Sequence, residues 1–172
     1  MRVYVPATLA MLSRLVADGS IFPVSGTAFA VTPTLREAYA EGDDDELAEV
    51  ALSEAARASL RLLAIDDDPG GSGASKSLPL RRAVLVADVE PVTLRPDLDD
   101  GVVRVGGPVT VGDVVAAYVD TAAAETAVRA AMDVIDAADL GDEDAEFVVG
   151  DAQDHDLAWY APQELPFLLQ LL

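Results

Sequence analysis

The stretch that decides the fold is Arg82-Ala-Val-Leu-Val-Ala-Asp-Val89. A strand with one face in water alternates apolar and polar residues, whereas residues 83–87 are apolar at every position. That pattern is typical of a strand at the centre of a sheet or covered on both sides. The stretch therefore predicts a buried central strand, and the rest of the chain must supply its neighbours.

Upstream, two β-rich runs are each followed by a helical pattern. Residues 3–5 lead into apolar residues at helical spacing over 9–16, and residues 28–31 lead into a short helix over 33–42. A third helix begins at the acidic residues 43–46, whose carboxylates complement the positive end of the helix dipole. The N-terminal part is thus predicted to alternate strand and helix.

A segment rich in glycine, serine and aspartate separates these elements from the central strand. Residues 66–77 have no apolar periodicity and predict a flexible surface loop. The segment lacks the glycine, lysine and serine spacing of a phosphate-binding loop, and three aspartates precede its glycines. We predict one domain over residues 1–172 with this loop inside it.

Two interpretations fit residues 110–138 downstream of a loop at 91–101 and a strand at 102–105. Thr110 could cap one long helix, or residues 113–119 could form a strand followed by a helix over 122–138. We favour the second because β-branched residues cluster in the first part and alanines in the second.

The C-terminal part predicts a hairpin and a last helix. Residues 146–149 and 157–160 are β-rich runs on either side of a polar turn, and Pro162 begins the helix. A strand, a proline and a helix recur at Tyr4, Phe29 and Tyr160, which leaves open two related halves. We predict an α+β fold with a ferredoxin-like sheet and helices packed mainly on one face.

Charge and composition narrow the classes of partner. The 172 residues carry a net charge of −20, contain one lysine and have no cysteine. Cysteine-based metal sites, thiol nucleophiles and disulfides are therefore excluded. We expect no nucleic-acid partner and no membrane partner, because phosphates and anionic lipids would be repelled. A GC-rich genome, salt adaptation or a basic partner would each account for the acidity.

The compartment is predicted to be the cytoplasm. No apolar run approaches the roughly 20 residues that span a bilayer, and the N-terminus resembles a signal peptide only weakly.

The single histidine is the first candidate for a catalytic or metal-binding residue. His155 lies in Asp151-Ala-Gln-Asp-His-Asp156, where carboxylates and an imidazole could bind a divalent cation or simply form a solvated turn. No Gly-x-Ser-x-Gly motif accompanies it. We predict no catalytic residue, no metal and no cofactor.

Two adjacent aromatic residues are the candidate binding residues. Trp159 and Tyr160 face opposite sides of a strand, so one should enter the core and the other should lie outward. Arg57 and Arg61 lie one helical turn apart, and they could form a small anion clamp with Arg81 and Arg82 or pair with acids such as Glu54.

Three segments together resemble one family: Met-Arg-Val-Tyr-Val-Pro-Ala-Thr-Leu at 1–9, Ala-Phe-Ala-Val-Thr-Pro-Thr-Leu-Arg-Glu at 28–37, and Trp-Tyr-Ala-Pro-Gln-Glu-Leu at 159–165. The chain is similar over its whole length to an actinobacterial family of unknown function. The resemblance implies a small bacterial cytosolic protein and brings no activity or site residues.

The expected function is a non-catalytic cytosolic binding or regulatory module that acts through protein contacts or self-association. One alternative is an enzyme or small-molecule binder with a pocket between helices and sheet. Another is an acidic mimic of a nucleic-acid surface.

Overall fold

A computed structural model of the chain describes residues 1–66 and 78–172. The strands in these ranges are β1 (Arg2–Ala7), β2 (Ser20–Ile21), β3 (Thr27–Phe29), β4 (Ala83–Asp88), β5 (Val92–Leu94), β6 (Val102–Val105), β7 (Val109–Thr110), β8 (Val114–Val119) and β9 (Ala158–Tyr160). The α-helices are α1 (Leu9–Asp18), α2 (Pro33–Ala38), α3 (Asp44–Asp66), α4 (Glu125–Asp139), α5 (Glu143–Gln153) and α6 (Leu165–Gln170).

Seven strands form one antiparallel sheet in the order β5-β6-β3-β1-β4-β8-β9, and β2 pairs with β7 beside it. The predicted central strand is confirmed, since β4 lies between β1 and β8. Strand β8 and helix α4 likewise confirm the favoured interpretation of residues 110–138. Thr110 does not begin a long helix but caps a single helical turn over Val111–Asp113, and its N–H donates to the Asp113 carboxylate at 3.0 Å.

Helices cover both faces of the sheet, so the prediction of helices mainly on one face is wrong. Val5 and Leu85 are paired across β1 and β4, and they belong to the core that includes the buried residues of α1 and α6. Val84 points to the opposite face and packs with Phe29 and the alanines of α3. The cause is the apolar content of both faces of β4, which needs cover on each side. The structure confirms the α+β class but not a ferredoxin-like topology.

The predicted strand at 146–149 is wrong, because these residues lie in α5. The Asp142 carboxylate caps that helix by accepting from the Ala145 N–H at 2.8 Å. Ala145, Val149 and Ala152 follow at helical spacing and are buried in a second core between α3, α4 and α5. The predicted hairpin is therefore absent, and β9 pairs with β8 instead.

Two loop predictions have different outcomes. Residues 91–101 were expected to be a loop throughout, but Val92–Leu94 forms an edge strand paired with β6. The predicted flexible loop at 66–77 lies outside the described residues, apart from Asp66, which ends α3.

Candidate binding surface

Strand β9 forms one edge of the large sheet. Its residues pair with β8 through Ala158↔Val119, Trp159↔Tyr118 and Tyr160↔Ala117, and no further strand follows it in the described part of the chain. An edge strand presents backbone N–H and C=O groups that another strand can bind. Within residues 1–66 and 78–172, β9 therefore has a strand neighbour on one side only.

The two candidate residues lie on opposite faces of this strand. Tyr160 is partly buried against the core that contains α1 and α6. Trp159 shares its face with Tyr118, its cross-strand neighbour, and 56% of its surface is exposed. The chain has only one tryptophan, and it lies at the open edge.

A buried ion pair supports the segment that precedes β9. The Arg82 Nε–H and Nη2–H donate to Asp120 Oδ2 and Oδ1 at 2.8 and 2.7 Å, and the Arg82 backbone N–H also donates to Oδ2 at 2.8 Å. The two side chains are 1% and 0% exposed. Arg82 precedes β4 and Asp120 follows β8, so the pair joins these strands at one end of the sheet.

The same guanidinium group holds the end of α5 and the start of the connection to β9. Its Nη1 donates to Gln153 Oε1 and its Nη2 donates to the His155 carbonyl oxygen, each at 2.8 Å. Gln153 Nε2 in turn donates to the Ser53 carbonyl oxygen of α3 at 3.3 Å. The connection to β9 is thus fixed to two strands and two helices, which presets the position of the edge.

A groove of about 380 Å³ lies between α3 and this connection. Leu52 and Leu157 supply apolar lining, while Glu49 and Asp156 supply carboxylates. Leu157 precedes Trp159 by two residues, so the two side chains project to the same side of the extended segment. The groove and the exposed tryptophan therefore belong to one surface.

Carboxylates concentrate where α5 ends. Asp151, Asp154 and Asp156 lie at or just beyond its C-terminus, and the last turn of the helix has no basic residue. The helix dipole places partial negative charge at this end, where cations are favoured. Within residues 1–66 and 78–172, none of the three aspartates forms an ion pair. This end of the surface is therefore strongly negative.

Comparison with protein-family models gives one match to this chain. Residues 1–169 match the model described as a family of unknown function, DUF6912. The chain belongs to this family. No curated protein and no solved structure matched this member of DUF6912. The predicted resemblance to a family of unknown function is confirmed, and the family indicates no activity.

The arginines of α3 in this DUF6912 chain form ion pairs with acids, but not with Glu54. Arg57 contacts Asp139 at 3.1 Å and Glu146 at 2.7 Å, and Arg61 contacts Asp139 at 2.6 Å. Hydrogen bonds from Arg61, and then from Arg57, lower the pKa of Asp139. These pairs fix α4 and α5 to α3.

Glu54 lines a separate, small cavity of about 70 Å³ beside Phe29 and Asp99. Burial of its carboxyl group against this cavity raises its pKa, and the negative charge of Asp99 adds to the effect. The cavity is much smaller than the few hundred Å³ of typical ligand pockets.

The predicted turn at Asp151–Asp156 is the last turn of α5 and the start of the connection to β9. His155 contributes its backbone carbonyl oxygen to Arg82. Across the described ranges, no three His, Cys, Asp or Glu side chains are grouped so that they could hold a metal ion. No helix in these ranges is long and apolar enough to cross a membrane.

Proposed function

We propose that this chain is a non-catalytic binding module whose partner protein docks an extended segment along the open edge of β9. The observation that carries the proposal is an exposed tryptophan on a sheet edge, since Trp159 is 56% exposed on a strand that, among the described residues, pairs only with β8. Aromatic residues, and tryptophan above all, contribute much of the binding energy at protein interfaces.

Strand addition suits this site for two physical reasons. The backbone of an added strand supplies hydrogen bonds, while its alternate side chains contact one face of the sheet and give specificity. Residues opposite Leu157 and Trp159 would share a face with both side chains. The Arg82 network also fixes the connection to β9 in advance, which lowers the ordering cost of binding.

Tyr160 has a different role in this proposal. Its ring packs against the core, so it supports the strand and does not contact the partner directly. We also propose that the module acts in the cytoplasm, as its sequence leads us to expect.

The experiment uses the lone tryptophan as a reporter. Three short blocked peptides, which alternate valine with lysine, glutamine or glutamate, are titrated into the full chain while Trp159 emission is recorded. We expect at least one peptide to give a saturable blue shift, because an added strand excludes water from the indole ring. N-methylation of that peptide's backbone should abolish the shift, because it removes the donors that a β-ladder needs.

A matched pair of variants distinguishes binding at this surface from nonspecific hydrophobic binding. Trp159→Ala should weaken binding by about tenfold or more in calorimetry, as expected for an interface hot spot. Phe22→Ala should not, because Phe22 is 71% exposed but follows β2, outside the large sheet. If no peptide shifts the emission, or if the N-methylated peptide binds equally well, strand docking at β9 is wrong.

A further inference from the structure

We infer that the segment docked at β9 is basic, with lysine or arginine side chains directed at the carboxylates that border this edge. The inference rests on the proposed docking at β9 and adds the chemistry of the partner. It depends on which charges surround the edge and on how the protein compensates similar charges elsewhere.

The charges next to β9 are negative on both sides of the strand. Asp154 and Asp156 precede it and are exposed, and Glu164, whose carboxylate accepts from the Ala161 N–H at 3.1 Å and has no ion pair in the described ranges, follows it and is exposed. Arg82, which contacts the connection to β9, is buried and neutralised by Asp120. An incoming strand would therefore meet uncompensated negative charge at both ends of the edge.

The end of α4 shows a helix C-terminal carboxylate that the chain pairs with its own cations. Asp139 lies at the C-terminus of α4, where the helix dipole disfavours it, and both Arg57 and Arg61 pair with it. Asp154 directly follows the last residue of α5, and within the described ranges it has no ion pair, as is also the case for Asp18 at the end of α1. The electrostatic cost at α5 would be relieved by a cation from a partner.

A second copy of the chain fits this edge poorly. An antiparallel β9–β9 pair centred on Trp159 would bring the end of the strand that follows Asp154 and Asp156 in one copy to the end that precedes Glu164 in the other. The two copies would also each bring a net charge of −20. Like charges across a sheet edge oppose pairing, so a basic heterologous segment is the occupant that the charges favour.

The test compares the valine–lysine peptide with the valine–glutamine peptide, both followed by Trp159 emission. We expect the lysine peptide to bind about tenfold more tightly at low salt, because several exposed charge pairs each add a modest gain. The advantage should shrink to less than about threefold at high salt, because salt screens exposed charges.

Two double variants locate the charges that matter. Asp154→Asn with Asp156→Asn should remove most of the lysine advantage, whereas Glu37→Gln with Glu41→Gln should retain it. Glu37 and Glu41 are exposed and lie in or just after α2, near the opposite end of the sheet. The first variant should melt at the same temperature as the wild type or slightly higher, because a carboxylate at a helix C-terminus is unfavourable.

The outcomes separate the inference from the proposed function. Equal binding of the lysine and glutamine peptides would leave strand docking intact and overturn the basic partner. Self-association that rises with salt and buries Trp159 would also overturn it, in favour of a second copy. Failure of every peptide to bind would overturn both.

Discussion

The buried Arg82–Asp120 pair gives the sharpest stability prediction. Asp120→Asn keeps the shape of the side chain but leaves the Arg82 guanidinium buried without a counter-charge. It also places an amide N–H₂ group opposite one of the donors that now reach the two carboxylate oxygens. The substitution therefore isolates the loss of charge complementarity.

The burial of both partners sets the magnitude. Removal of one member of a buried ion pair costs about 3–5 kcal/mol. One carboxylate oxygen is retained as an amide oxygen, so we expect a loss near 3 kcal/mol, a large part of the roughly 5–15 kcal/mol that stabilises a typical domain. With a urea dependence of about 2 kcal/mol per molar, the unfolding midpoint should fall by about 1.5 M.

The assay is urea unfolding followed by far-ultraviolet circular dichroism, with the dependence on urea unchanged between variants. The control is Arg82→Met with Asp120→Leu, which removes both charges and should recover part of the loss. Recovery should stop about 1–2 kcal/mol short of the wild type, because the Arg82 backbone N–H loses its acceptor while Gln153 Oε1 and the His155 carbonyl oxygen lose their donors. A loss below about 1 kcal/mol for Asp120→Asn, or a double variant no better than it, would refute the reasoning.

Three further predictions follow from local geometry and charge. Ser25 has a φ of +57°, in the left-handed region that β-branched residues avoid and asparagine tolerates. Ser25→Val should therefore lower the free energy of unfolding by about 1–2 kcal/mol, whereas Ser25→Asn should leave it unchanged or raise it, as measured by thermal melts. Burial raises the pKa of Glu54, a shift that favours the protonated form, so Glu54→Gln should raise the melting temperature at pH 7 but not at pH 3. Arg57→Gln should cost about 1 kcal/mol at pH 7. That cost should fade only as the pH falls below the ordinary carboxyl range, because hydrogen bonds from Arg61 and Arg57 lower the pKa values of Asp139 and Glu146 respectively, so both are protonated later than free carboxyl groups.

The local sequence pattern was sufficient to predict the elements whose packing in the fold agrees with their residue composition. The apolar residues of β4 and the β-branched residues of β8 lie in strands because both are enclosed in the sheet. The β4 pattern also implied cover on both faces, which conflicts with helices mainly on one face. The predicted ferredoxin-like arrangement has helices mainly on one face, and this part of the prediction is wrong because it did not follow the local pattern of β4.

The sequence predicts a strand where the structure has α5, because the same residues carry features that favour a strand and features that favour a helix. Phe147, Val148 and Val149 favour a strand by composition. Asp142 as a cap and the spacing of Ala145 and Val149 favour a helix, and burial against α3 and α4 decides the outcome. The polar residues 150–156 therefore form the last turn of α5 and the connection to β9, and they do not form a hairpin turn.

The candidate surface could be predicted only in part. Strand alternation predicts that Trp159 and Tyr160 diverge, because it needs no tertiary information. The Arg82–Asp120 pair joins residues 38 positions apart, so no local pattern reveals it. A charged residue at the border of each apolar strand was the available signal, since a charge beside a buried strand requires a partner.

Amide hydrogen exchange at β9 tests the central claim most directly. The full chain is labelled with and without the valine–lysine peptide at saturation, and the exchange of residues 158–160 is compared with that of β5 at the opposite edge of the sheet. Docking of a strand predicts that amides of β9 become protected while those of β5 stay unchanged. Saturable binding that leaves the β9 amides as exchangeable as before would contradict the account.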